Sequence, residues 1–182
     1  PADVTLPAIL TDHMVLQRQK PIQIWGWADP GEAVKVELAG KSSTAKTNKK
    51  GGWSVTLPPM AEGGPYVLKI SGKNTLTISD VLLGEVWIAS GQSNMFFQVN
   101  KATNADLNEL TANRKTAIRF NHVRNMGSQE PQYETTDVWQ EINPQTIGNV
   151  SAVAYAFAET LHDTLGIPIG VIENSWGGSA AE

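Results

Sequence analysis

The hydrophobic pattern of the chain changes after Ala89, and this change constrains the fold more than any other feature of the sequence. Before it, short segments alternate apolar and polar residues, as at residues 34–38, 53–57 and 66–70. Alternation predicts half-buried strands, because successive side chains of a strand point to opposite faces. Turn signals rich in glycine and proline separate these segments. Residues 1–80 are therefore predicted to form a small β-sandwich-like domain.

After Ala89 the predicted elements follow another order. A strand is predicted at residues 117–123, and a buried strand at residues 169–172 follows a helix that stops at Gly166. One face of this helix is predicted to carry Val153, Tyr155, Ala156, Phe157, Leu161 and Leu165. This order of strands and helix is typical of an α/β sheet.

Two polar segments interrupt that order. Residues 100–115 have Leu107 and Leu110 at helical spacing, so they predict either a short helix or an irregular loop. Residues 124–149 are long, polar and punctuated by proline and glycine. A segment of this length usually belongs to a functional loop or a lid.

Charge and composition exclude several classes of protein. Fourteen Lys and Arg against eighteen Asp and Glu give a formal net charge of −4, which argues against a nucleic-acid-binding surface. The one basic cluster, residues 46–50, is predicted to be a solvated hairpin tip. There is no cysteine, no spacing typical of metal ligands, and no apolar run near the roughly 20 residues of a membrane span. We predict no metal, no cofactor, no nucleic-acid partner and no membrane partner.

Two predicted strand ends carry unusual residues. One is the sequence GQSN at residues 91–94, and the other is NSWGGS at residues 174–179. A serine on a sharp strand-to-helix turn has the geometry of an activated nucleophile, and its backbone N–H can face a developing oxyanion. The glycines Gly177 and Gly178 would let a second backbone N–H approach the same oxyanion.

Simpler interpretations exist for both strand ends. Ser93 could be an ordinary helix N-cap, and Gly177 with Gly178 could be only a turn. The segment is not the lipase type of nucleophile elbow, which needs glycine two residues after the serine, where Met95 stands.

The segment GEVWIASGQSNM resembles the nucleophile block of the sialate O-acetylesterases, within the wider SGNH/GDSL hydrolase superfamily. The resemblance extends to LTDHMVLQRQKPIQIWGWADPGEAVKV and to VSAVAYAFAETLHDTLGIPIGVIENSWGGS. It implies that residues 81–182 form the first part of a flavodoxin-like, three-layer α/β/α hydrolase domain. It also implies a serine esterase that removes O-acetyl groups from sialic acid through an acetyl-serine intermediate. Ser93 would be the nucleophile, and the N–H groups of Ser93 and of Gly177 or Gly178 would line the oxyanion hole.

One part of the family's pattern does not appear in this sequence. The family places an Asp and a His a few residues apart near the end of the catalytic domain, whereas the histidines here are His13, His122 and His162. A structural or solvated role is the simpler interpretation of each. We therefore expect a C-terminal remainder of the polypeptide to supply the base and to complete the sheet. It would cover an apolar edge left by Trp176 and the strand at residues 169–172.

Three further questions stay open at this stage. The substrate of the esterase could instead be acetylated xylan or another carbohydrate. Arg119 and Arg124 are candidate partners for a sialate carboxylate only through their position near a strand end. An alternative of another class is a non-catalytic glycan-binding module fused to a degenerate hydrolase domain. For location, we expect a secreted or periplasmic protein from which a signal peptide has been removed.

Overall fold

The computed structural model describes residues 3–102, 106–111, 117–123, 125, 127, 129–130, 134 and 137–178. It is a mixed α/β structure in which strands dominate. The strands are β1 (Val15–Gln17), β2 (Ile22–Trp27), β3 (Ala33–Leu38), β4 (Lys41–Lys46), β5 (Gly52–Leu57), β6 (Gly63–Ser71), β7 (Thr75–Gly91), β8 (Ile118–His122), β9 (Trp139–Glu141) and β10 (Ile169–Ser175). The helices are α1 (Ser93–Phe96), α2 (Val99–Ala102), α3 (Leu107–Thr111) and α4 (Ala152–Leu165), with a 3₁₀ helix at Ile147–Asn149.

Two sheets organise the chain. One has eight strands in the order β4-β3-β6-β7-β10-β8-β9, with β1 also paired to β7, and the other contains β2 and β5. The 17-residue strand β7 connects the two parts of the large sheet, because it pairs antiparallel with β6 up to Leu83 and parallel with β10 from Glu85 onward. The predicted boundary at residue 80 falls inside this strand, and the division into two domains stays a prediction.

The N-terminal core lies between the two sheets and confirms the strands predicted from alternation. Its buried side chains include Val34, Val36 and Leu38 of β3, Val55 and Leu57 of β5, and Leu68 and Ile70 of β6. Each such side chain stabilises the fold by about 1.5–3 kcal/mol relative to an exposed position.

The basic cluster at residues 46–50 is exposed apart from Thr47, but the prediction of a hairpin tip is wrong. β4 pairs with β3, whereas β5 pairs with β2 in the other sheet. The segment is therefore a turn between two sheets. Oδ1 of Asn48 closes it by accepting hydrogen bonds from the N–H groups of Lys50 (2.8 Å) and Gly52 (3.1 Å).

The predicted helix before Gly166 is confirmed as α4. Ser151 is its N-cap and accepts the N–H of Ala154 at 3.1 Å, while Gly166 ends it in the left-handed conformation. The predicted apolar face is only partly correct, because Ala154, Tyr155 and Ala158 are buried whereas Val153 and Phe157 are 52% and 42% exposed. α4 therefore has apolar side chains on two faces, one of which contacts the second core around Ile118, Phe120 and Ile169.

The open edge of the sheet differs from the expected one. β10 pairs with β7 on one side and with β8 on the other, so it is a central strand. Among the described residues, Glu85–Gly91 of β7 pairs only with β10, and no strand pairs with its other edge, where the N–H of Val86 donates a hydrogen bond to Oε1 of Gln17 at 2.8 Å. Trp87 and Ile88 on this half-strand are 45% and 70% exposed.

The polar segments are described in part. Leu107 begins the short helix α3, which matches one of the two predicted alternatives, although residues 103–105 and 112–116 lie outside the described residues. The C-terminal end of the predicted lid forms β9 and the 3₁₀ helix. None of the described helices is both long enough and apolar enough to cross a bilayer.

Candidate active site

Ser93 lies immediately after the end of β7. Gly91 ends the strand with φ of +149°, and a Cβ there would lie 3.2 Å from Cβ of Met95, so the tight turn favours glycine. Gln92 is the N-cap of α1 and makes no capping hydrogen bond through its side chain, whereas Ser93 is the first helical residue and is exposed. The interpretation of Ser93 as an ordinary N-cap is therefore wrong.

The second strand end lies next to this turn. β10 runs parallel to β7 with Ser175 opposite Gly91, and the N–H of Trp176 donates a hydrogen bond to the carbonyl oxygen of Gly91 at 3.0 Å. This hydrogen bond holds the chain that follows β10 beside the end of β7. A Cβ placed on Gly177 would lie 3.9 Å from Cα of Ser93, so the backbone of Gly177 passes directly beside the serine.

Gly178 continues the loop in the left-handed region, with φ of +81° and open space where its Cβ would be. The two strand ends predicted from sequence thus lie side by side, at the C-terminal ends of β7 and β10. Ser179 lies outside the described residues. The donation of oxyanion hydrogen bonds by Ser93, Gly177 and Gly178 stays a prediction.

A buried carboxylate lies below this turn, and the sequence analysis missed it. Glu173 of β10 is 1% exposed, and its Oε2 accepts a hydrogen bond from the N–H of Ser151 at 3.1 Å. The hydroxyl of Ser175 lies 3.5 Å from its other oxygen. The signal was visible as a single charged residue within the apolar run IGVIENS, where a buried charge needs partners.

Ser151 connects this carboxylate to the turn at Ser93. Its hydroxyl caps α4 and also lies 3.4 Å from Sδ of Met95, the residue that follows Asn94 in α1. The short helix that begins at Ser93 is therefore held through Met95 against the N-terminus of α4. Because α1 is a single turn, it contributes N–H groups but only a weak helix dipole.

Of the three histidines, His122 is the one that lies near the C-terminal ends of these strands. It ends β8 opposite Glu173, with 3.7 Å between its Nδ1 and Oε1 of the carboxylate, and its ring lies 6.4 Å from that of Phe96. His162 is held in α4 by the carbonyl oxygen of Ile167, 2.7 Å from its Nδ1. His13 lies 2.7 Å from Asp80 in the N-terminal part of the chain.

Arg119 does not fit the predicted contact with a sialate carboxylate. It is 1% exposed, and its guanidinium donates hydrogen bonds to the carbonyl oxygen of His13 (2.9 Å) and to Oδ1 of Asp80 (3.2 Å). Glu141 lies 3.3 Å from the same guanidinium. A substrate cannot reach a cation that is buried and already paired. Arg124 lies outside the described residues.

The Arg119 cluster also contains the described residues that come nearest to a metal-ligand set. Ligand atoms of His13, Asp80 and Glu141 lie within 4.8 Å of one another. The guanidinium of Arg119 lies 3.0 Å from Asp80 and 3.3 Å from Glu141 and offsets one of their two negative charges, so a metal cation at this position would compete with it for both carboxylates. Burial raises the pKa of Asp80, but hydrogen bonds from His13 and Arg119 outweigh it and hold that pKa below its ordinary value.

Comparisons with known proteins agree on one class. No family model matches the sequence. The chain is 34% identical to a sialate O-acetylesterase of Mus musculus and 32% identical to one of Homo sapiens, in each case over 193 residues and 95% of this chain. A crystal structure of a carbohydrate acetylesterase from Xanthomonas citri matches with a TM-score of 0.93 and 39% identity, over 99% of this chain.

These matches cover only part of the similar proteins. The chain spans 36% of the mouse protein, 37% of the human protein and 42% of the Xanthomonas chain. The resemblance inferred from the nucleophile block is nonetheless confirmed, since it extends over almost the whole of this sequence. The chain is a homologue of the sialate O-acetylesterases over 95% of its length.

Proposed function

We propose that the protein is a serine esterase that removes O-acetyl groups from sialic acid. The observation that carries the proposal is the juxtaposition of Ser93 and Gly177 at the ends of two adjacent parallel strands. An exposed serine hydroxyl beside a glycine backbone is the arrangement that acyl transfer needs, because attack and charge stabilisation occur within about 3 Å of each other.

The proposed reaction has two steps. Oγ of Ser93 attacks the acetyl carbonyl carbon, and the N–H groups of Ser93 and of Gly177 or Gly178 bind the oxyanion. The ester C–O bond breaks, the sugar leaves as an alcohol with the proton taken from the serine, and acetyl-serine remains. Water then attacks that carbonyl, one of its protons passes to Oγ as the acyl C–O bond breaks, and the acetic acid that leaves ionises to acetate and a proton.

The base and the missing part of the sheet are proposed to come from a C-terminal remainder of the polypeptide. The unpaired edge of β7 supports this, and so does a groove of about 250 Å³ between β7 and α4. The residues that line this groove are all apolar, and in it the rings of Trp87 and Phe157 meet edge to face at 5.1 Å. A polypeptide segment with apolar side chains would cover such a surface.

The architecture and location are part of the same proposal. Residues 1–80 would be a β-sandwich-like domain, supported by the core between the two sheets. Residues 81–182 would be the first part of a three-layer SGNH-type domain, supported by the parallel strands β7, β10 and β8 and by α4. The protein would act outside the cytoplasm, in the periplasm or after secretion.

The choice of sugar is the least constrained part of the proposal. The names of the similar proteins favour sialic acid, and the Xanthomonas structure is named only as a carbohydrate acetylesterase. With Arg119 paired inside the protein, a sialate carboxylate would need another cation. Acetylated xylan, which is neutral, is therefore the second candidate substrate.

The test is Ser93→Ala in the complete protein, with acetate release measured on O-acetylated sialic acid, acetylated xylan and a small acetyl ester. We expect kcat to fall by at least about 10⁴-fold on the true substrate and on the small ester. Ser42→Ala, which removes an exposed hydroxyl from β4, is the matched control and should retain full activity. Unchanged turnover in Ser93→Ala would reject the proposed nucleophile.

A further inference from the structure

The outer face of the β2–β5 sheet carries large aromatic side chains where polar ones are usual. The alternation of β2 buries Ile22 and Ile24 in the core and turns Trp25 and Trp27 to the other face, where Trp25 is 36% exposed. Neither tryptophan belongs to the hydrophobic core, so core packing does not explain why two large aromatic side chains lie on this face.

These tryptophans line a cleft of about 550 Å³, within the size range of small-molecule sites. Polar side chains share the lining, among them Lys46, Asn48 and Ser54. No acidic side chain of the described residues lines it. The lining thus combines aromatic side chains with hydrogen-bonding groups.

The strand register explains how the cleft stays open. Trp25 lies opposite Ser54 and Trp27 lies opposite Gly52, so the space across from Trp27 contains no side chain from β5. A Cβ on Gly52 would lie 3.2 Å from Nδ2 of Asn48, which shows that the Asn48 amide lies beside this position. Hydrogen bonds from the backbone of the adjacent turn hold that amide in place.

We propose that this cleft binds a pyranose unit of a glycan, at a site separate from Ser93. A pyranose ring has an apolar C–H face and a rim of hydroxyl groups, so it needs an aromatic surface bordered by hydroxyl, amide or ammonium groups. Trp25 and Trp27 supply the surface, while Ser54, Asn48 and Lys46 supply the border.

The contrast with the groove beside β7 decides against a polypeptide occupant. That groove is lined only by apolar residues, as a covered protein seam would be. The tryptophan cleft mixes indole with polar groups and a cation, which suits a hydroxyl-rich ligand better than an apolar segment of chain. The inference goes beyond the proposed esterase activity and does not depend on it.

The experiment measures binding by calorimetry in the complete protein carrying Ser93→Ala, with xylohexaose and sialyllactose as probes. Trp25→Ala should weaken binding of at least one probe by about tenfold or more, whereas Trp25→Phe should retain most of it. Gly52→Val, which fills the cleft and leaves both tryptophans in place, should also weaken binding. Val67→Ala, which trims an exposed side chain of β6, should bind like the parent.

Three results would overturn the inference: neither probe binds the parent protein, Trp25→Ala and Gly52→Val bind as tightly as the parent, or Val67→Ala loses as much affinity as they do. If Trp25→Ala fails to fold, Gly52→Val carries the test. Because binding is measured without catalysis, acetate release by the wild-type protein reports separately on the proposed esterase.

Discussion

The two halves of β7 differ in the exposure of their apolar side chains and in what they lead to along the chain. In the half that pairs with β6, Val81 and Leu83 are 0% and 1% exposed and contribute to the N-terminal core. In the half that pairs with β10, Trp87 and Ile88 are 45% and 70% exposed, and the strand leads directly to Ser93. The first half contributes to the core, and the second half leads to the proposed nucleophile.

The candidate site therefore lies at the end of the more exposed half of β7. The proposed nucleophile and the glycine loop lie at the ends of β7 and β10, whereas among the described residues no strand pairs with the other edge of this half of β7. Substitutions in the first half should therefore change mainly stability, and substitutions near Ser93 should change mainly activity. The rest of the polypeptide should affect the second half of β7 more than the first.

The largest change in stability should come from the buried half. Leu83→Ala should lower the free energy of unfolding by about 3 kcal/mol, because it leaves a cavity in a packed core. Ile88→Ala should cost less than about 0.5 kcal/mol in the 182-residue chain, and more in the complete protein if that strand edge is covered there. Urea denaturation of both variants checks this. Equal losses in the 182-residue chain would mean that the two halves of β7 contribute equally to its stability.

The N-terminal core, to which the buried half of β7 contributes, was also the easier part to predict from sequence. Period-two alternation identified β3, β5 and β6, because each buries one face only. The pairing of β4 and β5 with strands of different sheets was missed, since a turn between sheets has the same glycine and lysine signals as a hairpin. The edge position of β7 was missed because a parallel strand reads as apolar whether it is central or not.

A smaller effect, on activity alone, is expected at the glycine loop. In Gly177→Val, the methyl groups would occupy space beside Ser93, so kcat/KM should fall by about 10²-fold with little change in unfolding. Gly178→Ala should instead lose about 1 kcal/mol of stability, because alanine is strained at φ of +81°. Kinetics and thermal unfolding of both variants would separate the two effects, and full activity in Gly177→Val would contradict a reaction that takes place between Ser93 and the backbone of Gly177.

The site itself was predictable only in part. Ser93, Gly177 and Gly178 carry recognisable motifs, and the parallel pairing of β7 and β10 brings the two motifs together. Glu173 has no motif, and its importance depends on Ser151, which is 22 residues away in the sequence and 3.1 Å away in space. Arg119 looked available because a sequence does not show that its partners come from residues 13, 80 and 141.

A loss of stability that depends on pH should come from Asp80, in the first half of β7. Its folded pKa is lowered, so the ionised carboxylate stabilises the fold above the unfolded pKa of about 3.9, and this is lost as pH falls through the folded pKa. Asp80→Asn keeps a residue suited to φ of +57° and should cost about 1–2 kcal/mol at pH 7.

That loss should disappear in strong acid, and a series of urea denaturations from pH 7 to acid would measure it. Glu37→Gln, which removes an exposed carboxylate paired with Lys35, is the control and should show a smaller difference. A loss in Asp80→Asn that does not change with pH would mean that the ion pair with Arg119 is not the source of the stabilisation.

In the proposed reaction, Ser93 carries the acetyl group between the two steps of ester hydrolysis. The most direct measurement is to quench the complete protein with acid during turnover of a rapidly reacting acetyl ester, and to analyse its proteolytic peptides by mass spectrometry. We expect one added acetyl group on the peptide that contains Ser93, and none on that peptide in Ser93→Ala. Acetate release with no acetylated serine, or acetylation of another residue in the wild-type protein and in Ser93→Ala alike, would contradict it.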